Sequence, residues 1–207
     1  MRIQAKCKIC RRYGERMFMK GERCLGAKCG AIRRGTPPGM HGKRRRRPPS
    51  EYGTEMREKQ KVRYSYGLTD RALRKIFTEA SGMSGKTSEA LVQLLERRLD
   101  NVVFRAGFAV SRSVARHLVS HGHILVNGKR VTIPSYRVKT GEVISIHRAL
   151  LDSPLLADLG NRLKRYEPPA WLDLAKEERK VSVRNLPKED ELRSERNLRL
   201  VVEYYSK

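Results

Sequence analysis

No stretch of the 207-residue chain approaches the roughly 20 consecutive apolar residues needed to span a bilayer. The opening residues Met1-Arg2-Ile3-Gln4-Ala5-Lys6 carry no apolar run behind their positive charges, so neither a membrane span nor a secretory leader is expected. The chain is predicted to work in the cytoplasm. Catalytic motifs are missing too. There is no phosphate-cradling Gly-x4-Gly-Lys-Ser/Thr loop, no local signature around a serine or cysteine nucleophile, and no internal repeat. Enzyme activity is not expected, nor is a small-molecule substrate. Acids are also scarce, 22 against 46 Lys and Arg, for a net charge of +24 and a pI near 10.5.

Such an imbalance is self-repelling in a free globular protein. A polyanionic partner removes the repulsion and releases counterions. Nucleic acid is the first reading and an anionic membrane surface the second, with membrane disfavoured by the missing apolar runs. Apolar residues make up 39%, enough for one large or two small folded domains. The charge is uneven: residues 1–49 hold 16 Lys or Arg and two acids, Glu15 and Glu22, a net +14. That segment is poor in apolar periodicity, so it reads as a knot that needs a metal or a partner to order it.

From Ser50 the pattern becomes helical. Ser50 is placed to cap a helix through Glu55–Tyr64, and Thr69 to cap another with Leu73, Ile76, Phe77 and Ala80 at helical spacing and Gly82 closing it. A third helix after Thr87 or Ser88 carries the stripe Leu91, Leu94, Leu95, Leu99 and Val102, with Arg97 and Arg98 expected outward. Ser111 opens a further helix with Val114, Ala115, Leu118 and Val119 inward, Arg112 and Arg116 on one outward face, and Gly122 as its stop. Ile124 and Val126 alternate as a strand, Asn127-Gly128 is a strong hairpin signal, and Val131 and Ile133 are expected to continue the returning strand. Tyr136 and Val138 form a short extended piece, and Val143, Ile144 and Ile146 a last strand. Ser153-Pro154 opens a helix through Leu163 that Pro168 and Pro169 end, residues 173–197 give no clear pattern, and the tail 198–207 is apolar enough to pack back onto a core.

The cysteines read Cys7-x2-Cys10 and Cys24-x4-Cys29, with thirteen residues between the pairs. Two thiol pairs across a short loop suit four thiolates around one tetrahedral ion. Four thiolates close the coordination shell, whereas a catalytic metal keeps a position open, so the centre is expected to be structural. Zinc is the default, and a four-iron four-sulfur cluster takes the same ligands. The competing reading, free or disulfide-bonded cysteines, is less favoured for two close pairs in a cytoplasmic chain. Lys6, Lys8, Arg11, Arg12 and Lys28 supply positive charge beside the thiolates.

Two groups of candidate RNA contacts follow. The first is Lys8, Arg11, Arg12, Arg33, Arg34, His41 and the run Lys43-Arg44-Arg45-Arg46-Arg47, whose five cations repel one another when free and neutralise a phosphate backbone when bound. The second is Arg97, Ser111, Arg112, Arg116, His117, His121, Asn127, Lys129 and Arg130. Such a mixture contacts phosphates and ribose hydroxyls by shape rather than by base sequence. The bland alternative for both groups is a solvated charged surface. His123 and His147 read as strand-edge residues.

The stretch Leu99-Asp100-Asn101-Val102-Val103-Phe104-Arg105-Ala106-Gly107-Phe108-Ala109-Val110-Ser111-Arg112 resembles the signature of the bacterial small-subunit ribosomal protein family called S-four. So do Ala115-Arg116, His121-Gly122-His123, Val126-Asn127-Gly128, Pro37-Pro38-Gly39-Met40-His41-Gly42, Arg57-Glu58-Lys59-Gln60-Lys61 and Val202-Glu203-Tyr204-Tyr205-Ser206-Lys207. The cysteine spacing is similar to the metal-containing branch. The chain departs from the family pattern at Met40, at Tyr64 and Ser65, and across 173–197. The resemblance implies binding to small-subunit ribosomal RNA at a multi-helix junction of the five-prime domain, nucleation of subunit assembly, contact with the neighbouring ribosomal protein S-five at an interface linked to decoding accuracy, and a place beside the messenger RNA entry channel. Some members repress their own messenger RNA. The resemblance also places Ser111, Arg112, Arg116 and His121 on the RNA-binding helix and loop, and Lys59, Lys61, Arg63 and Tyr66 on the RNA face of the helical part.

The expected architecture is α+β. A four-cysteine, metal-stapled extension with a basic arm covers 1–49, and a helical subdomain covers 50–96 with the tail 198–207 packed against it. A helix–hairpin RNA-binding module on a small antiparallel sheet covers 97–160, and a helical or irregular extension covers 161–197. Two other functions remain in view. One is an RNA-modifying enzyme carrying the same module, which would need a separate catalytic domain. The other is a four-cysteine DNA-binding regulator, whose recognition helix would fall at 11–23, where Gly14 and Gly21 interrupt it.

Overall fold

A computed structural model describes residues 5–44, 47–151, 158–188 and 197–207. The chain forms two compact units, Met1–Leu91 with Leu192–Lys207, and Val92–Glu191.

In the first unit, α1 (Lys6–Tyr13) is closed by Gly14 at φ +70°, whose N–H returns to the Cys10 carbonyl. A single 3-10 turn (Gly21–Cys24) and the one-turn helix α2 (Gly30–Arg33) follow. This segment has a small core of its own: Cys10, Met17 and Met19 are buried against Ile9, Tyr13, Ala31 and Tyr64. Tyr64, one of the departures from the family pattern, supplies apolar cover, with its ring centroid 6.1 Å from that of Tyr13. The Ser50 hydroxyl accepts from the Gly53 N–H at 3.2 Å to start α3 (Glu51–Ser65), and the Thr69 hydroxyl accepts from the Ala72 N–H at 3.2 Å to start α4 (Asp70–Ser81). The carboxy-terminal helix (Leu198–Ser206) packs along α3 and touches α4. Phe77 stacks on Tyr205 at 4.8 Å, and Lys207 Nζ reaches the buried Glu55 carboxylate at 2.6 Å.

The chain enters the second unit within α5 (Thr87–Glu96). The third helix is not continuous as expected. It breaks at Arg97-Arg98, because Arg98 is extended (φ −63°, ψ 134°) and bridges to Arg137. The Leu99 N–H donates to the Tyr136 carbonyl at 2.8 Å and the Val138 N–H to the Arg97 carbonyl at 2.9 Å, so the short extended piece exists to pair with this break. Arg98 is consequently buried rather than outward. The next helices are α6 (Leu99–Arg105) and α7 (Arg112–Ser120).

The strands are β1 (Ile124–Val126), β2 (Lys129–Arg130) and β3 (Val143–Ile146). Asn127 and Gly128 take φ +48° and +76°, the geometry of a two-residue hairpin turn, and Asn127 Oδ1 accepts from the Val143 N–H at 2.9 Å. The returning strand is shorter than expected. After one bond from the Val131 N–H to the Ile124 carbonyl the chain leaves the sheet ahead of Pro134, and Ile133 is exposed. Beyond α8 (Arg148–Leu151), the expected helix start at Ser153-Pro154 lies outside the described residues. Within the expected span, α9 (Leu159–Lys164) begins after Asp158 and ends before the prolines.

The stretch without a clear pattern contains a hairpin of β4 (Leu172–Ala175) and β5 (Lys180–Val183). It completes one antiparallel sheet in the order β2-β1-β3-β5-β4. Leu163, Trp171, Leu172, Val181 and Val183 share a core with Leu99, Phe108, Leu118, Ile124 and Ile144. Residues 161–183 therefore belong to the module and are not a separate extension.

Gly107, after α6, sits at φ +77°, and a Cβ there would meet the Tyr166 ring at 2.9 Å. Tyr166 is held by its hydroxyl to the Arg105 carbonyl at 2.9 Å. Gly107→Ala is expected to destabilise the protein by more than about 1 kcal/mol in chemical denaturation, through strain and displacement of Tyr166.

Candidate nucleic-acid interface

Five of the seven residues of α6 are buried, and two of these, Asp100 and Asn101, are polar. Each anchors an arginine of α7. Asp100, with 4% of its side chain exposed, accepts from Arg98 Nη2 at 2.9 Å and Nε at 3.1 Å, and from Arg116 Nε at 2.9 Å. Asn101 Oδ1 accepts from Arg112 Nε at 2.7 Å, while its amide donates to the Glu96 carboxylate at 2.8 Å and the Glu96 carbonyl at 3.0 Å. Glu96 also binds Arg105 at 3.0 Å. Arg112 lies 4.6 Å over the Phe104 ring. Arg112 and Arg116 are thus not simply solvated cations on an outward face: both are half-buried and oriented from beneath. Buried charges of this kind persist only when paired. In the sequence Asp100 and Asn101 stand inside the signature stretch with no role that spacing or composition marks. Their available signal was two polar residues inside an otherwise apolar helix.

The Ser111 hydroxyl is buried and caps α7, accepting from the Val114 N–H, so it is committed within the chain. His117 and His121 are exposed one turn apart, with near-parallel rings 6.2 Å between centroids, and His123 follows 6.2 Å from His121. Burial pushes the His123 imidazole below the usual histidine range, helped by the neighbouring His121, Arg130 and His147. Arg130 closes the end of α7, donating from Nε to the Gly122 carbonyl at 2.7 Å and from Nη2 to the His121 carbonyl at 3.0 Å. Gly122 is required there, since its φ is +70° and a Cβ would collide with the Arg130 guanidinium. Asn127 and Lys129 are exposed at the hairpin. Arg97 is half-buried and donates to the Val138 carbonyl at 2.9 Å.

The first unit divides its predicted contacts in the same way. Lys8, Arg12, Arg33, Arg34, His41, Lys43, Arg44 and Arg47 are exposed, and Arg45 and Arg46 lie outside the described residues. Arg11 is a staple: its guanidinium donates to the carbonyls of Arg34 at 3.1 Å and Thr36 at 2.9 Å. Of the residues placed on an RNA face by resemblance, Tyr66 is buried. Lys59 is buried against Asp70 at 3.0 Å and lies 4.4 Å from the Tyr204 ring centroid. Lys61 is paired with Glu15 at 2.8 Å and Glu58 at 2.6 Å, and Arg63 lies over the Tyr64 ring at 4.5 Å. Lys59 and Lys61 are thus paired within the unit, and Tyr66 is part of its interior.

Cys7, Cys10, Cys24 and Cys29 are free thiols, the last three buried. Burial raises the Cys10 thiol above its ordinary range, a backbone N–H from Met17 opposes the rise, and the other three cysteines are close enough to act on it electrostatically. The Lys20 N–H donates to Cys24 Sγ at 3.4 Å. Backbone donors aimed at sulfur suit thiolate ligands. Among the described residues, however, no three Cys, His, Asp or Glu side chains stand together closely enough to hold an ion.

Known proteins are similar to this chain over nearly its whole length. The profile described as ribosomal protein S4/S9 N-terminal domain matches residues 2–96, and that of the S4 domain matches residues 97–144. The small ribosomal subunit protein uS4 of Thermus thermophilus is 46% identical over 201 residues, 97% of this chain and 96% of that protein. The protein of the same name from Desulfotalea psychrophila is 46% identical over 205 residues, 99% and 98% of the two chains. Small ribosomal subunit protein uS4A of Symbiobacterium thermophilum is 44% identical over 201 residues, again 97% of this chain and 96% of that protein.

Removing Asp100 strands Arg98, whose side chain is 10% exposed. Asp100→Ala is expected to cost about 3–5 kcal/mol in denaturant unfolding. A change within about 0.5 kcal/mol, the range of an ordinary surface substitution, would show that the carboxylate is not holding this layer.

Proposed function

The chain belongs to the family of the small ribosomal subunit protein uS4, ribosomal structural proteins and not enzymes, and from that premise we propose that it is a structural constituent of the small subunit that binds its ribosomal RNA. Full-length similarity carries the reading, and the exposed cations of each unit support it. Neither the modifying enzyme nor the DNA-binding regulator gains support. Binding is by charge and shape. Lys43, Arg44, Arg47 and Lys129 meet phosphates, and His117, His121 and Asn127 reach phosphates and ribose hydroxyls. Arg112 and Arg116 contribute from a fixed orientation, held on Asn101 and Asp100. The finer reading follows the family: a five-prime-domain junction as the RNA site, a role in subunit assembly and accuracy, and contacts with protein S-five and with messenger RNA at its entry channel.

The test uses exposed cations, because charge reversal at Arg112 or Arg116 would also break the buried layer. Lys43→Glu with Lys129→Glu is expected to leave thermal unfolding unchanged. It should weaken binding to a transcript of the five-prime domain and lower the slope of log affinity against log salt by about one for each phosphate that is no longer neutralised. Unchanged affinity and slope would remove these residues from the interface.

The four cysteines are proposed to hold one structural metal, zinc by default. Cys7 and Cys10 on α1 and Cys24 and Cys29 across the loop supply the donors, and the Met17 and Lys20 N–H groups support the sulfurs. Bound metal would tie the two cysteine pairs together. Anaerobic purification is expected to yield one zinc per chain without visible absorbance. Iron with broad absorbance would replace zinc by a cluster, and the absence of any metal would overturn the proposal.

A further inference from the structure

The loop between Gly14 and Gly21 offers one aromatic ring to solvent. Met17 and Met19 are buried with Cys10, while Phe18 between them is 42% exposed. Phe18 also has φ +47°, a left-handed conformation in which a bulky side chain is an outlier. A single exposed apolar residue is ordinary. One that is both exposed and strained must be imposed by its surroundings, and such residues gather at binding sites.

Here the surroundings are visible. The Met17 N–H is bonded to the Cys10 thiol, and the Lys20 N–H donates to Cys24 Sγ at 3.4 Å. The Met19 carbonyl accepts from Lys6 Nζ at 3.1 Å. The residues on both sides of Phe18 are thus pinned to the two cysteine pairs. The Arg16 guanidinium lies 5.5 Å from the ring centroid, and Lys20 is exposed.

We propose that Phe18 is a stacking platform for an unpaired nucleobase of the bound RNA, with Arg16 and Lys20 meeting the phosphates beside it. The proposal rests on the RNA-binding reading and adds a base contact that charge alone does not provide. Aromatic faces stack any base, so the site selects for an unstacked nucleotide rather than for its identity. Arginine beside the ring strengthens such a site.

The experiment measures binding of the full chain to the five-prime-domain transcript at several salt concentrations. Phe18→Ala and Phe18→Gly are expected to weaken binding about 5- to 150-fold, the range for removing one base stack. Phe18→Trp and Phe18→Tyr should bind like the parent. The salt slope should not change, because every cation is kept. Phe18→Gly should melt no lower than the parent, since glycine takes positive φ without strain. With 2-aminopurine placed singly at unpaired positions, one position should be quenched by the parent protein and not by Phe18→Gly. Parent-like binding by Phe18→Ala, while Lys43→Glu with Lys129→Glu still binds weakly, would overturn the stacking site and leave the RNA reading standing. Parent-like binding by both would remove the RNA reading as well. A tryptophan variant as weak as alanine would mean that Phe18 serves packing or a protein contact, and would also overturn the proposal.

Discussion

Asp100 accepts from Arg98 at the entry to its own helix and from Arg116 on α7, and much of the second unit is arranged around that meeting. A carboxylate this buried cannot stay ionised without partners, and two guanidinium groups that reach it cannot wander. The break between α5 and α6 brings Arg98 into place, and its backbone pairing with residues 136–138 fixes the break. Beside it, Glu96 and Asn101 treat Arg105 and Arg112 in the same manner. Four arginines surround two carboxylates, so the layer keeps a positive excess while remaining ordered.

Order of this kind matters for a polyanion. A free arginine loses rotamer freedom when it grips a phosphate, whereas one already oriented loses less. His117, His121 and Lys129 are instead exposed to solvent. The amino-terminal segment repeats the division. Arg11 is spent on carbonyls that hold the loop, and Lys8, Arg12, Arg33 and Arg34 remain outside.

Much of this was legible in the residues. Caps at Ser50, Thr69 and Ser111, the stop at Gly122 and the Asn127-Gly128 turn are decided by local chemistry, and local chemistry is what sequence reports well. The helix break at Arg97-Arg98 was not legible, because an apolar stripe runs across it and only distant strand-like pairing overrides the periodicity. The hairpin of β4 and β5 was hidden by charged residues in its turn, which mask short alternating runs such as Val181 and Val183. Among site residues, exposure followed sequence for the hairpin and the basic arm. It failed for Lys59, Tyr66, Ser111 and Arg116, which are buried or half-buried: Ser111 caps its own helix, Lys59 pairs with Asp70 of the next helix, and Arg116 reaches the buried Asp100 of α6.

The sheet order leaves β2 as one border of the sheet, and β2 is two residues long, both of them exposed cations. A border of unpaired backbone groups is a template for joining a second sheet, the first step of aggregation. Here the template is too short to hold a foreign strand and repels another copy of itself. A newly made chain is thereby kept from assembling with its neighbours by two cations, Lys129 and Arg130, at the one place where the sheet ends in β2.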